Sequence, residues 1–155
     1  MNKWSYLFFA LVLSNLAYAE QSQNTNGQVL LKKKNDSQAC ATLDIKAQKA
    51  AYMGDYPCSN DEVYDFKLEQ ATKDSVIVLG ADDPKGADDC PLGDWRFHLK
   101  VTSDTPLNTD WISIESLRNK NSGDNVLPGL MMQKNEYHRG SIAGKLSCVD
   151  TLPAS

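Results

Sequence analysis

Four cysteines, Cys40, Cys58, Cys90 and Cys148, restrict this 155-residue chain more tightly than any other part of its sequence. An even number of cysteines behind an export signal indicates disulfides, because an oxidising compartment makes the paired state the stable one. Four cysteines allow three pairings. Cys40 with Cys58 and Cys90 with Cys148 is favoured, since a local loop plus a clasp reaching the C-terminal strand constrains the most chain. Zinc is the competing use of cysteine, yet there is no C-x-x-C pair and the two histidines, His98 and His138, are isolated. Neither a metal nor another cofactor is expected.

The export signal is read from the N-terminus. Lys3 supplies a short positive segment, Leu7 to Leu13 is apolar, and Ala17-Tyr18-Ala19 gives the small-x-small cleavage pattern, so cleavage is expected before Glu20. The apolar run falls short of the roughly 20 residues of a membrane span, and no second such run follows. The absence of a cysteine near the cleavage point argues against a lipoprotein. The expected organisation is a signal peptide at 1–19, a polar flexible leader at 20–28 and one domain at 29–155, secreted or periplasmic. Loss of Lys3 takes the formal charge from −4 to −5, a balance that gives no support to nucleic-acid binding. The run Lys32-Lys33-Lys34 reads as a solvated flank, because no further basic cluster joins it.

Two-residue alternation dominates the mature part. Tyr64, Phe66 and Leu68 fall on one face, Trp95, Phe97, Leu99 and Val101 on another, and Ile142, Leu146 and Cys148 on a third. Shorter candidate strands are Val29 to Leu31, Ser75 to Leu79, Trp111 to Ile114 and Leu127 to Met132, separated by Gly, Pro, Asn and Asp clusters. A mostly β, disulfide-stabilised antiparallel barrel or trefoil-like domain is the expected fold class. One segment carries a rival reading: Thr42 to Met53 has good helix formers, Asp44 early, Lys46 and Lys49 later, and Gly54 placed to cap, so a helix at 42–53 would make the class α+β. A faint repeat supports the β reading, since Cys58 to Leu68 and Cys90 to Leu99 both run cysteine, polar turn, aromatic-x-Phe-x-Leu.

Catalytic signatures are sparse. Gly140-Ser141-Ile142-Ala143-Gly144 is not a nucleophile elbow and reads as a turn entering the last strand. His98 alternates away from Phe97 and Leu99 toward solvent. The stretch Gly80 to Asp89 repeats Ala-Asp-Asp and gathers four carboxylates, which suit calcium chemically but lack EF-hand spacing, so a solvated loop is the plainer reading. Paired carboxylates also serve glycoside hydrolysis, and a small carboxylate-dependent hydrolase is the third functional class considered. Sugar recognition by a stacking ring beside polar groups is a further signal. Trp95 and Trp111 read as core, which leaves Tyr52 and Tyr56, close in sequence to Asp44 and Asn60, as candidate ligand-binding residues.

At these residues the chain resembles ricin-type lectin repeats, the β-trefoil modules of plant toxins, glycosidases and the binding subunits of cytolethal distending toxins. Cys40-Ala-Thr-Leu43-Asp44-Ile45 is similar to the start of such a repeat, Cys58 to its second cysteine, and Glu62-Val-Tyr64-Asp-Phe66 to its Gln-x-Trp-x-Phe end, with two residues inserted before Leu43 and Glu and Tyr in place of Gln and Trp. Trp95-Arg-Phe97 resembles the end of a further repeat and Leu117 to Gly123 the opening of a third. The resemblance is specific over residues 29–68. It implies that Asp44 and Asn60 bind sugar hydroxyls while a tyrosine stacks on the ring. The leading expectation is a non-enzymatic binding domain for a glycan or a protein surface. The main rival is an inhibitor or immunity protein that blocks another protein's active site, with the acidic 80–89 loop or the 133–140 segment as its plug.

Overall fold

The computed structural model describes residues 27–46 and 49–154, so the expected signal peptide and all of the leader before Gly27 lie outside the described residues. In chain order the strands are β1 (Gln28–Lys33), β2 (Ala41–Asp44), β3 (Ala51–Tyr52), β4 (Val63–Glu69), β5 (Val76–Gly80), β6 (Trp95–Val101), β7 (Ile112–Ser113), β8 (Asn125–Leu127), β9 (Leu130–Tyr137) and β10 (Cys148–Leu152). They form a four-stranded sheet of order β2-β1-β4-β7 and a six-stranded sheet of order β3-β10-β5-β6-β9-β8. Every pairing within them is antiparallel. The protein is therefore mostly β. Among the described residues no helix is long and apolar enough to cross a membrane.

The two sheets turn their apolar faces into one core. Leu31, Phe66 and Leu68 come from the smaller sheet, and Ile77, Leu79, Trp95, Phe97, Leu99 and Leu130 from the larger; all are fully buried. Strict alternation in β6 produces this directly, because side chains two apart share a face and Trp95 can stack on Phe97 with ring centres 5.1 Å apart. Burial of each of these large side chains contributes roughly 2–3 kcal/mol. The Trp95 indole N–H donates to the Ser141 carbonyl at 3.0 Å, so the ring's one polar atom is satisfied.

The helix considered for 42–53 does not form. Ala41–Asp44 pairs with β1 and Ala51–Tyr52 with β10, while Met53–Asp55 is a single 3₁₀ turn. The apolar spacing decides against the helix: Leu43 and Ile45 are buried while Thr42 between strand partners is exposed, a period of two that a helix cannot place on one face. Three other expectations are corrected in detail. Tyr64 does not share the buried face of Phe66 and Leu68, because the register shifts opposite Lys32 and Lys33 and Val63 takes the core position instead. Ile142 and Leu146 are buried from a turn-rich segment, and the last strand begins only at Cys148. Residues 127–132 form no continuous strand, since Pro128-Gly129 makes the turn of a hairpin between β8 and β9, with Gly129 at φ 86°.

Cys40 is joined to Cys58 and Cys90 to Cys148. The first bridge holds the segment before β4 against the end of β1, where the Cys40 N–H also donates to the Leu31 carbonyl at 2.8 Å. The second fixes the β5–β6 connection to the first residue of β10. The bridges span 18 and 58 residues, so loop-closure entropy makes the second worth about 4 kcal/mol and the first about 3 kcal/mol. We expect Cys90→Ala with Cys148→Ala to lower the unfolding free energy more than Cys40→Ala with Cys58→Ala, measured by denaturant titration of the oxidised protein. The reverse order would show that local packing outweighs chain entropy.

Candidate functional site

The four candidate ligand-binding residues divide into two places. Tyr52 pairs with Cys148 across β3 and β10, and its ring lies over Gly54, which has no room for a side chain. The Met53 N–H donates to the Ser147 carbonyl at 2.8 Å, and the Ser147 hydroxyl donates to Asn60 Oδ1 at 2.6 Å. Tyr56 closes the 3₁₀ turn by donating its N–H to the Met53 carbonyl, and its half-buried ring packs on the core. Tyr52, Tyr56 and Asn60 are thus gathered around residues 147–148.

Asp44 stands apart from them. Its backbone carbonyl accepts the Thr151 hydroxyl at 3.1 Å, three residues along β10 from Cys148 and therefore roughly 10 Å away. Its carboxylate accepts from the Gln28 amide at 3.1 Å and the Lys46 ammonium at 3.2 Å, and these two partners hold its pKa below the usual range. Asp44 acts as a local tie at the edge of the smaller sheet.

A different pair of segments meets at one end of the six-stranded sheet. Residues 81–94 connect β5 to β6, and residues 138–140 follow β9. The backbone carbonyl of Asp94 accepts from both the His138 and the Arg139 N–H, at 3.0 and 3.2 Å, and the Asp94 carboxylate accepts from Arg139 Nε at 2.8 Å. Gly140, at φ 87°, lies against the Asp94 side chain. Gly93 lies against the Asp82 carboxylate, where a Cβ would collide with it. The result is a shallow groove lined by Asp82, Leu92, Gly93, Asp94, His138 and Arg139. Leu92 is 53% exposed, the most exposed large apolar side chain among the described residues. Among those residues no three acidic, histidine or cysteine side chains gather into a metal site.

The walls of this end are held by a charged cluster on the outer face of β6 and β9. Glu136 is only 11% exposed and accepts from Arg96 Nε at 2.7 Å and from Lys134 at 2.6 Å. Arg96 also donates to the Cys90 carbonyl at 2.6 Å, which ties the cluster to the loop. Burial opposes the charge on Glu136, but the Arg96 and Lys134 hydrogen bonds outweigh it and bring the carboxyl to about 2. His98 points outward as expected, but it is half-buried, with Nε2 3.3 Å from Glu136 Oε2 without an aligned hydrogen bond. Burial, followed by the Arg96 charge, pushes its pKa down, so His98 is neutral at pH 7.

Comparison with protein-family models, with curated proteins and with solved structures found no match.

Because the Glu136 pKa is depressed in the folded state, its stabilisation is present above the ordinary carboxylate value and lost as pH falls toward 2. After allowance for solvent screening, Glu136→Gln should cost on the order of 2 kcal/mol at pH 7. Denaturant titrations of both proteins from pH 7 down to the acid range should show the difference shrinking. A difference independent of pH would mean that the cost comes from packing and not from charge.

Proposed function

We propose that this protein is a non-enzymatic binding domain that docks on the surface of another protein through the face built from residues 90–94 and 138–140, with the acidic loop beside it. The observation that carries this reading is the double hydrogen bond to the Asp94 carbonyl, which joins two segments, distant in sequence, into one surface. That surface has the ingredients of a small interface. Leu92 offers an apolar anchor, and Asp82, Asp83, Asp88, Asp89 and Asp94 outnumber Lys85 and Arg139 around it. The Cys90–Cys148 bridge and the Arg96 hydrogen bond fix the backbone beneath Leu92 before binding, which lowers the ordering entropy that association must overcome. The partner surface that fits is basic, with a recess for one aliphatic side chain. Blocking of an enzyme's active site is the form of docking that such a preorganised loop serves best.

Glycan recognition is the second reading. It is favoured by the grouping of Tyr52, Tyr56 and Asn60 around residues 147–148 and draws on the ricin-type resemblance, with Asp44 contributing no part of that group.

Affinity capture from the protein's own extracellular fraction, run in parallel with a glycan array, separates the readings. A protein retained by wild type and by Tyr56→Ala but lost with Leu92→Asp supports docking at the loop face, and its retention should weaken as ionic strength rises. Since Leu92 is exposed, Leu92→Asp should change stability by less than about 1 kcal/mol. Retention that is indifferent to Leu92→Asp overturns the reading. Array binding that is lost with Tyr56→Ala and kept with Tyr56→Phe transfers the function to the tyrosine edge.

A further inference from the structure

Asp150 is the described residue whose burial the docking reading leaves unexplained. It lies on β10 two residues beyond Cys148 and on the same face, with Val78 of β5 directly opposite. It is 4% exposed, and its Oδ1 is buried without a hydrogen-bond partner. Its surroundings form a small apolar patch separate from the main core, made of Val78, Cys90 and Cys148 with Ala50 and Val76 at the margin. Of the acidic loop, its end at Cys90 lies in this patch, and the Asp88 carbonyl meets the Ala50 N–H at the margin. The Cys90–Cys148 bridge brings Asp89, the residue before Cys90, toward Asp150, the residue two after Cys148.

The charged groups around Asp150 offer little compensation. Asp89 on the loop repels a charge on it, and burial disfavours that charge more strongly still; the Thr151 backbone amide favours it but is outweighed, so the carboxyl is pushed up. Asp88 is highly exposed and faces Lys49 at 3.9 Å. Lys46, on the segment leading to β3, has its ammonium on Asp44. The residues of β5 on this face, Val76, Val78 and Gly80, carry no charge. One strand further, on the same face of β6, Arg96 is bound to Glu136, His98 stands beside Glu136 and Lys134, and Lys100 pairs with Asp74 at 2.8 Å. At its start the loop is anchored by the Ala81 N–H donating to the Trp95 carbonyl at 3.1 Å and by the Asp82 carboxylate against Gly93; just in front of Cys90 it is tethered more weakly, by the Ala50 N–H donating to the Asp88 carbonyl at 3.2 Å and by the exposed Lys49–Asp88 pair. Lys85 and Gly86, at φ 50° and 78°, mark the bend of the loop.

We propose that residues 81–89 form an acid-closed flap over Asp150, seated when the Asp150 carboxyl carries its proton and lifted when that carboxyl ionises opposite Asp89. A neutral carboxyl tolerates an apolar surrounding far better than a carboxylate, which needs water or a cation. Water reaches Asp150 by lifting of the 88–89 segment, and Cys90 remains bonded to β10 while Ala81 remains bonded to the Trp95 carbonyl, so the movement is confined to the stretch between them. The closed state binds the proton more tightly than the open one. Its advantage is complete below the ordinary aspartate range and is lost as pH rises through the closed-state value. The device works in the free protein and does not depend on what docks beside it.

Hydrogen exchange of the intact oxidised protein, followed by mass spectrometry between about pH 4 and 7 and corrected for intrinsic exchange rates, tests the flap. Protection of peptides covering 81–89 should fall with rising pH, roughly tenfold for each unit by which the closed state raises the Asp150 pKa, while peptides covering β6 remain constant. Asp150→Asn should keep the flap protected at every pH. Asp89→Asn alters only an exposed side chain, so it keeps the fold intact, and by removing the repulsion that raises the Asp150 pKa in the seated flap it should shrink the loss of protection and end it at lower pH. A flat wild-type profile, or one that both substitutions leave unchanged, overturns the proposal.

Discussion

The bridge between Cys90 and Cys148 anchors the loop end of the molecule to its larger sheet. Cys148 opens β10, and β10 lies between β3 and β5 in the larger sheet. A covalent bond at that position holds the end of the loop against the outer face of β5 and β10. Few apolar groups are available there: the patch under the loop is small, and Asp82, Asp83, Asp88 and Asp89 of the loop are acidic and exposed. Hydrogen bonds then refine what the bridge makes possible. Arg96 reaches the Cys90 carbonyl, Asp94 accepts from two backbone amides of the 138–140 segment, and Glu136 fixes Arg96 in turn.

This arrangement separates the two tasks of the chain. The inward faces of the sheets carry the stability, with large apolar side chains at full burial and Trp95 at the boundary, its ring in the core and its N–H on the Ser141 carbonyl. The outward end carries charge and shape. Asp94 and Trp95 are consecutive, one lining the groove and the other buried beneath it, so the groove's floor is as firmly placed as the core side chain next to it.

Much of the fold can be read in the residues themselves. Alternation in Trp95 to Val101 states which side chains are inside, and the spacing of Leu43 and Ile45 is enough to choose strand over helix once their common face is considered. Alternation fails where the backbone inserts a residue: the irregularity opposite Lys32 and Lys33 turns Tyr64 outward, and nothing in the local composition announces it. It also misleads at Ile142 and Leu146, whose spacing looks like a strand but is met by turns that drop apolar side chains into the core. The candidate site was less legible. The acidic loop and the 133–140 segment were each visible as unusual stretches, but their meeting depends on a main-chain carbonyl, which has no signature in side-chain chemistry. Asp44 and Asn60 look like a pair in sequence because a bridge joins their flanks, yet they end at different positions along β10.

The strand lengths given above bear on how such a chain survives at high concentration. Both sheets end in short strands: β7 and β3 have two residues each, β8 has three and β2 four. A strand of two or three residues offers too few free amides and carbonyls to template a neighbour, and β2 has an exposed Thr42 and the charged Asp44–Lys46 pair at its border. The long strands β4, β5, β6, β9 and β10 all lie inside their sheets, with β4, β9 and β10 covered on the outer side by the short strands over two residues each. Crowded copies of the chain therefore meet at the sheet ends mainly through side chains, and the strand that ends each sheet gives a neighbour only a short length of backbone to extend.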